Sequence, residues 1–180
     1  IASITAAGVS KWMFGDSYLF AMDNINVDLI GLLPAALIAG PLFGLVAILF
    51  MMSVRHSARF AASSGWSPAR LLITAAVGAG VVGMWVPEAL GLGTTVVSDI
   101  LNGETLNISL IILLVAKIGL TALCIGFGMF GGVFSPALLV GASAGAILGR
   151  VFAGVGILSA GPGMAICGMA AVASAVIGAP

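Results

Sequence analysis

Apolar residues fall along this chain in long unbroken runs, with no strand-like alternation of apolar and polar positions. Polar residues collect in the gaps. The runs predict helices over about 1–15, 34–62, 68–86, 95–101, 106–125, 135–153 and 164–177. Their lengths are uneven. The run over 34–62 exceeds the roughly 20 residues that cross a bilayer, so that helix is expected to tilt or to project from the lipid. Pro34 suits its first turn, and Pro41, about two turns in, predicts a kink. The run over 95–101 is too short to cross and reads as re-entrant or interfacial. Ser67-Pro68 reads as an N-cap followed by proline at the first helical position. Gly78, Gly80 and Gly83 predict a close-packing face on the helix that follows.

Composition turns this pattern into a class. Of the 180 residues, 61% are apolar and 7% charged, and mean hydropathy is +1.28. Soluble domains carry about a quarter charged residues. This chain cannot dress a water-facing surface, so the fold is expected to be all-α and integral to a lipid bilayer. The formal net charge is zero. With no basic stripe to neutralise phosphates, nucleic acid is excluded as a partner.

The few charges also orient the chain. Arg55, His56, Arg59 and Arg70 cluster between two apolar runs, whereas Asp16, Asp23 and Asp28 precede them and Glu88, Asp99 and Glu104 follow. Basic loops favour the cytoplasmic side, so the 55–70 loop is expected inside. Lys11 and Trp12 suit a membrane interface. The chain opens at Ile1 within an apolar run and closes on Gly178-Ala179-Pro180. It reads as an internal piece of a longer polytopic protein, forming a single transmembrane region over 1–180.

One stretch stands apart. Gly126, Gly128, Gly131 and Gly132 separate two strongly apolar segments, and Val133-Phe134-Ser135-Pro136 opens the next helix. Lipid cannot satisfy backbone groups freed by a break, so such a break survives only within protein or beside a wet cavity. The new helix aims unpaired N–H groups and its positive dipole end at the break. That describes a buried anion site. Gly131 and Gly132 allow close backbone approach. Pro136 lies in the first turn, where its missing N–H costs nothing. Val133 and Phe134 offer free N–H groups, and their apolar side chains are expected to keep water down. The bland reading is that the glycines only ease packing between two helices.

The run Lys117-x-x-x-Thr121, then Gly126-x-Gly128-x-x-Gly131-Gly132-Val133-Phe134-Ser135-Pro136, then Gly141 and Gly145, resembles the CLC family of chloride channels and chloride/proton antiporters. The GGxFxP stretch is a signature of that family. Pro87-x-x-Leu90-Gly91-Leu92-Gly93 resembles its loop before a short helix, and Gly168-Met169-Ala170-Ala171 with Gly178-Ala179-Pro180 resembles its late region. The resemblance covers essentially the whole chain and is most specific over 126–145.

It implies an inverted-repeat fold of tilted and discontinuous helices, here mostly the second repeat. It further implies a homodimer with one anion pathway per subunit, and chloride as the transported ion. On this likeness the anion-binding set is Gly131, Gly132, Val133, Phe134, Ser135 and Pro136, with the N–H groups of Val133 and Phe134 facing the anion. No GSGIP or GREGP stretch occurs, and the single tyrosine, Tyr18, sits in an acidic loop. The gating glutamate and the other pathway walls are therefore expected outside this chain. The likeness also suggests a plasma or bacterial inner membrane, no enzymatic activity, no cofactor and no metal.

Other residues have competing readings. Lys117 is the one charge deep in an apolar helix, about four helical turns before the motif. It could pair with a carboxylate, support the anion site electrostatically, or be structural. Gly141-Ala142-Ser143-Ala144-Gly145 matches the nucleophile elbow of hydrolases. It sits in an apolar helix, and the only histidine, His56, is in the basic loop. Ala137, Gly141, Gly145 and Gly149 instead recur every four residues, which predicts a helix-packing stripe. Cys124 and Cys167 lie in apolar runs and read as core. The alternative to an anion pathway is a permease of another kind, in which the break is only a packing device.

Overall fold

The computed structural model describes residues 29–103, 109–154 and 161–178, and near the start Thr5, Gly8, Val9, Trp12 and Met13. Its regular elements are all helical. They are α1 (Leu29–Ser63), α2 (Pro68–Trp85), a 3-10 turn (Pro87–Ala89), α3 (Thr94–Leu101), α4 (Leu110–Gly126), α5 (Phe134–Gly154) and α6 (Gly161–Ile177). Segments Leu32–Ser63, Pro68–Trp85 and Phe134–Gly154 are long and apolar enough to cross a membrane, while α4 and Pro162–Ile177 are shorter apolar helices. The expected all-α membrane fold of unequal helices is the one observed. Lys11, Asp16, Tyr18, Asp23, Asp28 and Glu104 lie outside the described residues, as do 155–160, Ala179 and Pro180.

Two helices begin earlier than expected. α1 starts at Leu29, so Pro34 falls beyond the first turn, and the helix runs on through both Pro34 and Pro41. In a long apolar helix the loss of one or two ladder bonds is outweighed by keeping the remaining backbone paired. α6 starts at Gly161, which puts Pro162 in the first turn where no N–H is needed. At α2 the N-cap is Ser67 with Pro68 next, yet the Ser67 side chain makes no capping bond. Its carbonyl accepts from Arg70 N (2.9 Å) and Leu71 N (3.2 Å). The fixed φ of Pro68 starts that helix without help from the hydroxyl.

α5 and α6 form the tightest pair. In lipid, helices gain little from burying apolar area and associate by close backbone approach. Ala137, Gly141, Gly145 and Gly149 are all buried, as a packing stripe requires. Gly141 lies against the backbone of Gly168 and Met169, and Gly145 against that of Met164 and Ala165. One face of this pair takes Phe43 and Phe50 of α1 against Val140, Met164 and Val172. The other takes Val97 and Leu101 of α3 with Leu113 of α4, packed near Leu139 and Met169. α2 is the outer helix, with Ala75 as its buried residue. Gly78 packs on Leu123 and Gly83 on Leu90, but Gly80 faces open space. Two glycines, not the expected three, make its contacts.

Candidate functional site

The break is built from both ends. α4 stops in a Schellman motif, in which Gly128 adopts φ +88, Met129 N donates to Cys124 O (2.9 Å) and Gly128 N to Ile125 O (3.1 Å). Glycine takes this left-handed conformation without the Cβ clash other residues suffer. The turn is seated on the end of α1. Phe127 is buried and its ring stacks on Phe60, with centroids 6.2 Å apart and planes at 22°. Gly126 fits against the Ser57 side chain and the Ala58 backbone nitrogen, which leaves no room for a Cβ.

Helix resumes at Phe134, and the first bond of the new helix runs from Ala137 N to Val133 O (3.1 Å). The N–H groups of Val133, Phe134 and Ser135 therefore have no acceptor in the helix they open, and Pro136 has no N–H to offer. Gly131 and Gly132 are exposed and Val133 is half-buried. Phe130 is fully exposed and Phe134 is 51% exposed. The apolar shield expected of Val133 and Phe134 is thus not closed by this chain. The break presents its amides on an open side.

Lys117 is brought back to the motif. The Schellman turn reverses the chain, so a lysine about four helical turns upstream faces the same space as the glycines. Lys117, Thr121, Cys124, Gly131, Gly132 and Pro136 line one cavity of ≈ 180 Å³. Lys117 is 3% exposed. Its Nζ donates to the carbonyls of Ala89 (2.9 Å) and Gly91 (2.7 Å), so its partners are backbone dipoles of the α2–α3 connection. Ser135 Oγ donates to the Leu92 carbonyl in the same connection (2.8 Å). These three carbonyls went unseen in the sequence. Only Gly91 and Gly93, at φ +63 and +71, marked the place.

The remaining candidates lie elsewhere. Ser143 is fully buried between α5 and α6, and its Oγ has no partner among the described residues. His56 is exposed on α1, 3.3 Å from the Met52 carbonyl through Nδ1. The pentapeptide around Ser143 is helical throughout, not a strand–turn–helix elbow. Cys124 and Cys167 are free thiols.

An all-helical, multi-pass membrane protein with a helix interrupted and restarted around a small-residue break has the construction of membrane transport proteins. Comparison narrows this further. Residues 1–180 match the model of the voltage gated chloride channel family, and the chain belongs to that family. It is 30% identical over 197 residues to chloride channel protein CLC-f of Arabidopsis thaliana, covering 100% of this chain and 25% of that protein. It is 31% identical over 188 residues to the H(+)/Cl(-) exchange transporter ClcA of Vibrio vulnificus, covering 100% of this chain and 40% of that protein. A Vibrio cholerae ClcA gives 31% over 187 residues, with the same 100% and 40% coverage. The chain thus spans between a quarter and two fifths of the length of these relatives. They are named as channels and exchangers, not as enzymes, and a permease of another kind is not favoured.

Proposed function

We propose that this chain serves chloride transport, as part of a channel or a chloride/proton exchanger, and that its break forms one wall of the anion pathway. The observation that carries the reading is the restart of α5: an exposed glycine pair followed by amides without acceptors among the described residues. Val133 and Phe134 N–H groups would hold the anion, with Gly131 and Gly132 giving it room. Ser135 and Pro136 shape the first turn. Lys117, behind the glycines, adds positive potential. Binding by backbone dipoles, with no side-chain cation in direct contact, is weak enough to let the ion leave, which conduction requires.

The wider assignments rest on the same reading. The 1–180 region is one transmembrane unit that works as a homodimer in a plasma membrane, in bacteria the inner one. The stretch expected as a 55–70 loop is mostly helix, with Arg55, His56 and Arg59 at the end of α1 and Arg70 at the start of α2. All four are exposed, which supports placing this end of the helix pair on the cytoplasmic side.

A proline at the first position of α5 provides the test. It keeps helical φ but deletes the amide hydrogen. In the full-length gene product, Phe134→Pro is expected to weaken chloride binding about tenfold, the effect of one hydrogen bond to a charge. Phe134→Ala, which keeps the N–H, should bind nearly as the parent does. Calorimetric chloride titration, with bromide density in crystals, reads both. Equal affinities for Phe134→Pro and Phe134→Ala would sink the proposal.

A further inference from the structure

The connection from Ala89 to Gly93 touches both walls of the break. Its carbonyls at Ala89 and Gly91 accept from Lys117 of α4, and its carbonyl at Leu92 accepts from Ser135 of α5. One residue on, Gly93 at φ +71 packs against Leu139, one turn beyond Ser135 on the same helix. Backbone outside a helix leaves carbonyls that need partners. Here two side chains, distant in sequence, do it for three carbonyls.

This arrangement engages the chemistry of both residues. A serine hydroxyl has one proton, and that of Ser135 lies on Leu92. Lys117 has three, and two are held by the connection. Neither side chain is aimed at an ion through these protons.

We propose that Lys117 and Ser135 are positioning residues that act in series through this connection. Lys117 fixes its path, the Leu92 carbonyl fixes Ser135, and Ser135 sets the direction of the first amides of α5. The inference rests on the reading that those amides hold chloride. It has two consequences. The two residues are energetically coupled, because Lys117 orders the amides only through the contact that Ser135 makes, an effect larger than the potential its charge adds. Lys117 also matters as a hydrogen-bond donor, so a neutral donor should replace it in part.

A double-mutant cycle in the full-length gene product, read by calorimetric chloride affinity on protein that is monodisperse in detergent, tests both. Lys117→Met and Ser135→Ala should each weaken binding about tenfold, as expected for losing hydrogen bonds that order the site. The double variant should also lose only about tenfold, whereas independent sites would lose about a hundredfold. Lys117→Gln should recover most of the affinity lost in Lys117→Met. A multiplicative double loss, or a glutamine variant as weak as the methionine one, would overturn the proposal.

If Lys117→Met does not fold, Gly91→Ala strains the same connection at its positive φ without touching the lysine. Its cycle with Ser135→Ala should show the same coupling, and multiplicative losses there overturn the proposal equally. Should the parent protein bind neither chloride nor bromide at Val133 and Phe134, the functional reading fails first and takes this inference with it. Binding at those amides with multiplicative losses defeats this inference alone.

Discussion

Replacing Gly145 by alanine adds one methyl group where α5 meets α6. The new Cβ would lie against the Met164 carbonyl oxygen, 2.6 Å from Ala165 Cα and 2.8 Å from the Met164 carbonyl carbon. Non-bonded carbons settle at about 3.5–4.0 Å, so the helices must part by roughly 1 Å. All three obstructing atoms are backbone, and no side-chain rotation relieves them. Parting the helices also loosens the neighbouring contact of Gly141 with Gly168. Overpacking of this kind costs about 1–3 kcal/mol, and the rigid neighbours place it at the upper end. Better helix propensity returns up to about 1 kcal/mol. The net expectation is a loss of about 2 kcal/mol. Gly80→Ala is the matched control, because its Cβ would meet nothing within 4 Å. Thermal unfolding of the two full-length variants in one detergent, followed by size-exclusion retention, should show Gly145→Ala several degrees below the parent and Gly80→Ala level with it or above. A Gly145→Ala protein that melts with the parent would refute the claim that backbone contact sets the α5–α6 spacing.

Other outcomes follow from the same geometry. Phe127→Ala removes a buried ring stacked on Phe60 and should cost about 3 kcal/mol, measured as a fall in the denaturation midpoint; Phe127→Leu should cost less. Gly128→Ala forces a side chain into φ +88 and should lose about 1–2 kcal/mol by the same assay, with Gly128→Asn milder. Ser143→Ala deletes a buried hydroxyl that has no partner among the described residues, so stability should hold or rise by about 1 kcal/mol, and anion flux from liposomes should be unchanged. Lost flux in a stable Ser143→Ala protein would point to a chemical role for the serine.

The extent to which the sequence disclosed this structure follows physical lines. Apolar runs mark the helices because a chain in lipid must pair its backbone internally. The four-residue stripe from Ala137 to Gly149 was readable because small residues at that period permit close approach, and all four are buried. Helix starts were less legible. Pro34 suggested a later start for α1, since proline position was read without the flanking backbone that the fold keeps helical, and α6 begins at Gly161, ahead of the expected 164. Gly80 looked equivalent to Gly78 and Gly83, but which side of α2 meets a neighbour is decided by tertiary packing. The glycine break and the isolated lysine were both visible in the sequence. Their adjacency was not, because it depends on a chain reversal. The partners of Lys117 were beyond reading altogether: they are carbonyls 26 and 28 residues away, and a carbonyl carries no side-chain signature.

The Schellman turn also gives the break an electrical asymmetry. Where one helix ends and another begins, a row of bare carbonyls would face a row of bare amides, and their partial charges would offset each other. Here Leu123, Cys124 and Ile125 carbonyls accept from Phe127, Met129 and Gly128, while the opening amides of α5 have no such partners among the described residues. The electron-rich end is muted and the electron-poor end left bare. On the proposed anion reading, a negative charge at this gap meets net attraction from the backbone itself, with the Lys117 ammonium behind the glycines held by the Ala89 and Gly91 carbonyls.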